Sequence, residues 1–283
     1  MLHRAIALAV CLGLLSTTVA AIENPLVLGV LPRDNYAATL QAFGPLAREL
    51  GQALGREVRL ETTKDYASFW QAVQARRYDL VHYNQYQYLK SHKESGYQLL
   101  LKNEEFGSAR ISAVIVVRKD RGITSVRELK GQTIAFGGDN TAMMSYIVPS
   151  AMLHNAGLQH GDYTETFART PLNALMAVYY GQATACGVGD VVPRLAELKE
   201  KIDPNQLHVL TTSEAMPHLP WAVRGDMPAA LRNRIRAALV ALKDNDAGHQ
   251  ALARAQLTAL VPAEDAEYEP LRRIVQQVRG EKF

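Results

Sequence analysis

Short apolar runs alternate along the chain with longer segments of helical periodicity, and this alternation constrains the fold more than any other feature. Leu26–Leu31 is apolar throughout, as in a strand covered on both faces, and Thr39–Leu54 then carries apolar residues at helical spacing before Gly55. The order recurs with a strand at Val58–Thr62, a helix at Tyr66–Arg76 and a strand at Asp79–Tyr83. The pattern predicts an α/β fold with a largely parallel sheet and helices on both of its faces.

The middle of the chain has an order of strands and helices of its own. Ile111–Arg118 is a long β-branched run, and Thr124 or Ser125 with Glu128 makes a capping-box pattern that predicts a short helix over residues 123–131. Further strands are predicted at Tyr97–Lys102, Gln132–Phe136, Tyr163–Phe167, Ala183–Val188 and Leu207–Thr212, with a helix at Pro171–Tyr180 and mostly helical sequence over residues 228–280.

This order predicts two α/β lobes joined by a hinge. The chain enters the second lobe near Glu105 and leaves it near Glu214, so it crosses twice between the lobes. Ligands of open α/β sheets bind at the carboxyl ends of strands, which places a ligand cleft between the lobes. We assign residues 22–105 and 215–283 to lobe 1 and residues 106–214 to lobe 2.

The first residues have the composition of an export signal. Arg4 gives a positively charged start, Ala5–Leu15 an apolar run and Val19–Ala21 a small-residue cleavage site, which predicts a cleaved signal peptide over residues 1–21. A lipoprotein anchor at Cys11 would need a small residue before it, and Val10 stands there. No later segment has the roughly 18 consecutive apolar residues of a membrane helix. The mature protein is expected in the periplasm, peripheral to the inner membrane.

Charge, motifs and cysteine content exclude several classes of function. The chain has 31 basic and 28 acidic side chains, mixed without a basic block, which argues against a nucleic-acid partner. The sequence lacks the motifs of nucleophile elbows, zinc proteases, dinucleotide folds and phosphate-binding loops, so we expect no enzymatic activity and no cofactor. Once Cys11 is removed, Cys186 stands alone: it is a buried core residue, pairs between chains or acts as a thiol.

A glycine-rich turn joins the predicted strand Gln132–Phe136 to a helical pattern that ends near Gly157. Gly137 and Gly138 let the backbone approach a ligand closely, and the N-terminus of the following helix presents unpaired N–H groups and a positive dipole. The turn predicts an anion site, which we call the cradle, formed by Asn140, Thr141, Ala142, Met143, Met144 and Ser145.

The side chains of the cradle leave a second interpretation open. The thioethers of Met143 and Met144, with the thiol of Cys186, are soft ligands that suit Cu(I) or a metalloid. Methionines also fill apolar gaps, and adjacent helical residues point about 100° apart, which disfavours one shared ligand. The sequence therefore predicts no metal site and keeps a soft-metal site at Met143, Met144 and Cys186 as the alternative.

Several segments together resemble one family of transport proteins. They are Tyr78–Val81 with the tyrosines that follow it, Val126–Phe136, Ile147–Pro149 and Asn173–Gly181. Over roughly residues 26–259 the chain is similar to the periplasmic binding proteins of phosphate, phosphite and phosphonate ABC transporters. The resemblance implies a type II binding-protein fold with two lobes, a small anionic ligand and an ABC permease as the membrane partner.

The resemblance also identifies where this chain departs from the family. The family holds its oxyanion with a Ser-Thr-Ser triplet and the backbone amides of the helix-opening loop. Aligned on Val148–Pro149, this chain has Ala142, Met143 and Met144 at the triplet, and Arg169–Pro171 stands where the family tends to have a histidine. The resemblance thus implies an oxyanion that is held here chiefly by backbone amides.

Aromatic residues are further candidates for the cleft. Tyr83 and Tyr86 follow the third predicted strand, and the resemblance implies that a tyrosine there and one near Tyr66 contact the ligand. An aromatic pair also encloses cations by cation–π attraction. The alternative is a strand-to-helix turn with Tyr86 in the core.

Two charged residues lie near the predicted crossings and strand ends. Arg110 clamps an anion with its guanidinium or forms a surface ion pair with Glu104 or Glu105. Asp190 follows a strand near the cleft, where it receives an amine or a metal ion or caps the next helix.

These patterns favour a periplasmic solute-binding protein that closes around a small ligand by hinge motion and delivers it to a permease. A second hypothesis is a ligand-sensing partner of a membrane histidine kinase, a role in which related lobes serve. A third is a copper or metalloid carrier that uses Met143, Met144 and Cys186.

Overall fold

The computed structural model describes residues 24–32 and 35–283, and its strands form two large sheets and a short ribbon. The signal peptide predicted at residues 1–21 lies outside the described residues. The strands are β1 (Leu26–Val30), β2 (Val58–Glu61), β3 (Leu80–His82), β4 (Tyr97–Glu104), β5 (Arg110–Ile111), β6 (Ala113–Arg118), β7 (Thr133–Gly137), β8 (Thr164–Ala168), β9 (Ala185–Gly189), β10 (Leu207–Thr212), β11 (Met216–Pro217), β12 (Pro220–Arg224) and β13 (Ala259–Pro262). The α-helices are α1 (Tyr36–Leu54), α2 (Tyr66–Gln74), α3 (Gln85–Ser95), α4 (Val148–Asn155), α5 (Pro171–Tyr179), α6 (Ala196–Lys201), α7 (Ala229–Val240), α8 (Asp246–Arg254) and α9 (Glu269–Arg279).

Local sequence explains where several helices begin and end. Asn35 accepts a hydrogen bond from the Ala38 N–H at 2.9 Å and so caps α1, which ends at Gly55 in the left-handed conformation with φ 64°. Ser125 and Glu128 form the predicted capping box at the start of a short 3₁₀ turn. Within the described part of the chain, no helix is long and apolar enough to cross a membrane.

The first sheet has six strands in the order β13-β4-β12-β3-β1-β2. β1 pairs in parallel with β2 and β3, whereas β12 and β13 run antiparallel to their neighbours. The sequence did not predict β12 because Pro217 and Pro220 indicated an irregular connection. Pro220 is the first residue of the strand, a position that proline tolerates, and the strand buries Trp221 at the centre of the sheet.

The second sheet has five strands in the order β10-β6-β9-β7-β8. β7 pairs in parallel with β8 and β9, and β6 runs antiparallel to β9 and β10. The prediction of a largely parallel sheet is therefore wrong, since both sheets are mixed. β6 and β12 each follow a crossing from the other lobe. Each therefore enters its sheet at the carboxyl ends of the parallel strands and runs antiparallel to them.

A two-stranded ribbon forms the hinge between the sheets. β5 pairs antiparallel with β11, Ile111 opposite Met216 and Arg110 opposite Pro217. The chain leaves the first sheet after β4 and returns to it at β12, which gives two crossings. The predicted architecture of two α/β lobes with a hinge and a cleft is confirmed; the residue boundaries assigned to the lobes stay predictions.

One apolar cluster extends from one lobe into the other. It joins Phe69 and Tyr86, which follow strands of the first sheet, to Met143 and Ile147 in the second lobe. Val275 of α9 belongs to the same cluster. This packing holds the start of the helix that follows β7 against the first lobe.

Candidate functional site

The turn after β7 contains glycines for steric reasons. A Cβ on Gly137 would lie 2.3 Å from the Cα of Pro171. Gly138 has φ 87°, a conformation that favours glycine, and its Cβ would lie 3.3 Å from the ring of Tyr66. The turn therefore brings the cradle of the second lobe directly against Tyr66 of the first.

The cradle presents backbone donors that have no partner. A π-helical turn begins at Met143 and continues into α4. Before it, the carboxylate of Asp139 accepts from the N–H of Thr141 at 2.7 Å and from its hydroxyl at 2.6 Å. Within the described residues, the N–H groups of Met143, Met144 and Ser145 have no hydrogen-bond partner. Such groups at a helix N-terminus bind anions.

A cavity of about 120 Å³ lies at these donors, between the two lobes. It is lined by Leu31, Tyr66, Asn84, Gln85, Ile111 and Leu219 on one side and by Ala142, Met143, Met144, Ser145, Pro171, Gly189, Val191 and Val192 on the other. None of these lining side chains is charged. Ser145 also lines the cavity, and its hydroxyl is a further hydrogen-bond donor there. The lining therefore offers N–H and O–H dipoles, and no charged side chain, to a ligand.

Two polar residues of the cavity, Asn84 and Gln85, were not predicted. Asn84 caps α3 by accepting from the Gln87 N–H at 2.9 Å, and its amide donates across the cleft to the Thr141 carbonyl at 3.2 Å. Gln85 is buried and donates to the Pro217 carbonyl at 3.1 Å, while its Oε1 finds no hydrogen-bond partner among the described residues. The available signal was their place directly after β3, at a strand's carboxyl end.

Of the three candidate tyrosines, the structure places Tyr66 at the cavity and the other two in the core of the first lobe. Tyr83 is fully buried, with its hydroxyl 2.7 Å from that of Ser91. Tyr86 donates to Glu281 at 2.8 Å. Burial raises the pKa of both phenols, which stay neutral donors. Neither ring is among the residues that line the cavity.

Three other predicted site residues, Arg110, Asn140 and Thr141, are not among the residues that line this cavity. Arg110 donates to the carbonyl of Ala215 and lines a separate cavity of about 380 Å³ between the ribbon and α9. Asn140 is exposed, and its carbonyl accepts from Arg279 at 2.7 Å. The hydroxyl of Thr141 is engaged by Asp139, so Asn140 and Thr141 shape the cradle through its backbone.

Alternation along β9 separates Cys186 from the cradle methionines. A Cβ on Gly187 would lie 2.7 Å from Pro149, and one on Gly189 would lie 3.7 Å from the Cβ of Met144. These two positions therefore face the cradle helix. Cys186 directly precedes Gly187 in the strand, so its side chain points to the opposite face of the sheet.

This arrangement disfavours a single soft-metal site that combines Met143, Met144 and Cys186. Cys186 packs with Leu175 and Val178 in a core on the far face, whereas Met143 and Met144 belong to the inter-lobe cluster. Burial raises the pKa of the Cys186 thiol, so the metal-binding thiolate is disfavoured. Among the described residues no group of three His, Cys, Asp or Glu side chains is placed to hold a metal ion.

Asp190 directly follows β9 and forms two hydrogen bonds with Ser112, next to the hinge ribbon. Its N–H donates to the Ser112 carbonyl at 2.8 Å, and its carboxylate accepts from the Ser112 N–H at 3.2 Å. The carboxylate therefore bonds to Ser112, between β5 and β6, rather than capping a helix, and Asp190 is not among the residues that line the cavity. Desolvation raises the pKa of Asp190 above its ordinary value, against the opposing effects of the Ser112 hydrogen bond and Arg194.

We expect Asp190→Asn to stabilise the protein near neutral pH. A carboxyl whose pKa is raised by folding binds a proton more tightly in the folded state, so its contribution to stability falls as pH rises through the folded pKa. The variant should melt at a higher temperature at about pH 7, and the gain should shrink as the pH is lowered to about 4. Thermal melts across this range measure it, with the exposed Asp244→Asn as the control of equal charge. A lower melting temperature at neutral pH would contradict the assignment.

The sequence matches a known protein family over residues 28–268, the family described as ABC transporter, phosphonate, periplasmic substrate-binding protein. The tetrathionate sensor histidine kinase TtrS of Salmonella typhimurium is 27% identical over 267 residues, which cover 88% of this chain and 43% of TtrS. The chain thus spans less than half the length of that relative.

Solved structures share the fold at low sequence identity. The binding-protein component of an ABC phosphonate transporter from Pseudomonas aeruginosa has a TM-score of 0.79 at 17% identity, covering 91% of this chain and 87% of that one. PhnD1 from Prochlorococcus marinus, solved with methylphosphonate, has a TM-score of 0.79 at 16% identity, covering 90% and 98%. These likenesses confirm the type II binding-protein fold. Because the family match covers most of the chain and the fold agrees with it, the protein belongs to the periplasmic substrate-binding proteins of phosphonate ABC transporters.

Proposed function

We propose that this protein captures a small oxyanion between its lobes and delivers it to an ABC permease. The observation that carries the proposal is the convergence of the Met143, Met144 and Ser145 N–H groups on an inter-lobe cavity without charged walls. Preorganised N–H dipoles in a poorly hydrated cavity stabilise negative charge strongly. The hydroxyl of Ser145 would donate to the ligand in place of one hydroxyl of the Ser-Thr-Ser triplet that the family uses.

Both lobes contribute to the proposed site, which accounts for closure. The second lobe supplies the cradle, and the first supplies Tyr66, Asn84 and Gln85. A ligand that contacts both sides stabilises the closed arrangement relative to an open one, because only the closed arrangement offers all of the contacts. The protein would act in the periplasm after removal of residues 1–21 and meet its permease at the inner membrane.

A thermal-shift screen of the mature protein tests the proposal. The compounds are phosphate, phosphite, methylphosphonate, sulfate, thiosulfate and tetrathionate, with Cu(I) and arsenite as soft-ligand controls. A ligand at 100 times its dissociation constant adds about 2.7 kcal/mol to the free energy of unfolding. We expect a shift with at least one oxyanion and none with Cu(I). A shift with Cu(I) alone would overturn the oxyanion site.

A sensing role is the second candidate, and the similarity to TtrS favours it. In that role the same lobes bind the ligand and report closure to a membrane histidine kinase instead of a permease. The two roles are separated by deleting the gene in its host. Loss of uptake of the radiolabelled ligand supports transport, whereas retained uptake with loss of ligand-dependent transcription supports sensing.

Arg279 joins the cradle to the first lobe, and its removal should weaken ligand binding. Its guanidinium donates to the Asn140 carbonyl at 2.7 Å and lies 5.0 Å from the ring centre of Tyr86. Because this bond joins the cradle to the first lobe, Arg279→Ala should raise the dissociation constant about fivefold, since one such bond is worth about 1 kcal/mol. Titration calorimetry measures it. Arg273→Ala, on the exposed face of the same helix, is the matched control, and equal affinities in both variants would contradict the role of Arg279.

A further inference from the structure

A tight turn between β4 and β5 holds two consecutive residues in the left-handed region of the backbone. Glu105 and Ser108 exchange two backbone hydrogen bonds of 3.0 Å, which close a hairpin loop formed by Phe106 and Gly107. These two residues have φ values of 52° and 77°. A type I′ turn requires this pair of positive angles and favours Asn-Gly. The chain therefore has a phenylalanine where the turn favours an asparagine.

Burial of the ring does not explain the strained backbone of Phe106. A bulky residue with a positive φ is strained, and such strain persists only where the surrounding structure imposes it. The side chain of Phe106 is 42% exposed, so it contributes little to the apolar core. Its ring instead contacts Arg194, whose guanidinium carbon lies 4.2 Å from the ring centre. The strained turn thus directs the aromatic ring onto a cation.

The two partners of this contact belong to different lobes. Thr258, directly before β13 of the first sheet, accepts a hydrogen bond from the Gly107 N–H at 3.2 Å, which fixes the turn to the first lobe. Arg194 lies in the second lobe, two residues after Val192, which lines the cradle cavity. The contact between Phe106 and Arg194 therefore joins the lobes beside the cleft.

The strength of such a contact suits a reversible hinge. Arg194 is exposed, as Phe106 is, and a guanidinium over an aromatic ring at an exposed site changes an equilibrium about two- to fivefold. Hinge opening moves the turn with the first lobe and Arg194 with the second, so the contact belongs to the closed arrangement. A contact of this strength biases the hinge without locking it.

We propose that Phe106 and Arg194 form a latch that holds the two lobes together, with or without a ligand. The contact needs no ligand, because both of its partners belong to the chain. It therefore sets the fraction of the protein that is closed. The apparent dissociation constant of a ligand that binds the closed arrangement varies inversely with this fraction. The inference goes beyond the proposed function, since it holds for any ligand of the cleft.

Distances between labels on the two lobes test the latch. Gln52 on α1 and Lys199 on α6 are exposed, and other residues of these two helices line a cavity of about 310 Å³ between the lobes. Spin labels on cysteines at these two positions report opening as a longer distance by double electron–electron resonance, and Cys186 is buried and stays unlabelled. Without ligand, Phe106→Ala should lower the ratio of closed to open protein about two- to fivefold.

A second substitution separates the ring from the backbone strain. Phe106→Asn also removes the ring, so it should open the lobes as far as Phe106→Ala does. Asparagine adopts the left-handed conformation more readily than alanine, so Phe106→Asn should melt about 2–4 °C above Phe106→Ala. Opening should thus follow the loss of the ring, whereas melting should follow the conformation of the turn. Phe106→Tyr keeps an aromatic ring and should keep the distances of the unmodified protein.

Substitution of the cation tests the other partner. Arg194→Gln should open the lobes as Phe106→Ala does, and the double variant should open them no further, because both changes remove one contact. Arg121→Gln, an equal change of charge at an exposed position of the second lobe, is the control and should leave the distances unchanged.

The outcomes are independent of which ligand the cleft binds. Unchanged distances in Phe106→Ala and Arg194→Gln would overturn the latch and leave the cradle untouched. Opening in Phe106→Ala alone would assign the ring to another partner and would also overturn it. If Phe106→Ala fails to fold by circular dichroism, Arg194→Gln still decides the question, because it changes an exposed side chain.

Discussion

Replacing Ser145 with aspartate should abolish oxyanion binding while leaving the protein folded. The side chain of Ser145 lines the cradle cavity beside its own N–H and those of Met143 and Met144. A carboxylate at this position would occupy the donors and repel the ligand. Like charges placed together cost several kcal/mol, so the dissociation constant should rise by at least about 100-fold. Calorimetric titration with the best oxyanion from the screen measures the loss.

Two control variants show whether the loss of binding comes from the charge at position 145 or from the loss of the hydroxyl. Ser145→Ala removes the hydroxyl and keeps the backbone donors, so affinity should fall only about fivefold, the worth of one hydrogen bond. Thr164→Asp adds the same charge at an exposed position at the start of β8, far along the strand from the cleft, and should bind normally. Normal binding by Ser145→Asp would show that the anion lies elsewhere.

Trp221→Ala should destabilise the first lobe by about 3–5 kcal/mol, the usual cost of deleting a buried aromatic side chain. Trp221 is fully buried on β12, with its ring centre 4.5 Å from that of His82 and 6.3 Å from that of Phe43. Its indole N–H donates to the buried Asn103 at 2.8 Å. The variant leaves a large cavity at the centre of the sheet and an unsatisfied buried acceptor.

Urea denaturation measures this loss as a lower midpoint with an unchanged slope. Trp221→Phe separates the two contributions, because it keeps an aromatic ring against His82 and loses the hydrogen bond to Asn103. It should cost about 1–3 kcal/mol, the penalty for an unsatisfied buried acceptor. A loss below about 1 kcal/mol in Trp221→Ala would mean that β12 is less central to the lobe than its contacts indicate.

The elements that could be predicted from sequence are those whose signal is local. β1, β6 and β7 follow from apolar runs, and the Ser125–Glu128 capping box and the stop at Gly55 follow from side-chain chemistry within a few residues. β12 was missed because Pro217 and Pro220 indicated an irregular connection, and its antiparallel direction depends on where the chain re-enters the sheet. α3 was missed because its sequence lacks apolar periodicity, although Asn84 and Gly96 cap its ends.

For the site, the sequence by itself determined that unpaired N–H groups follow the glycine turn, since the first turn of any helix leaves them without an intrahelical partner. Only the tertiary structure decided which side chains meet those groups. The hinge brings Asn84 and Gln85 from the first lobe to the cavity. Because side chains alternate along β9, Cys186 lies on the face of the sheet opposite the cradle. Tyr83 is packed in the core and does not reach the cradle. A sequence pattern fixes which residues share a face of an element, but which face borders the cleft depends on how separate segments pack.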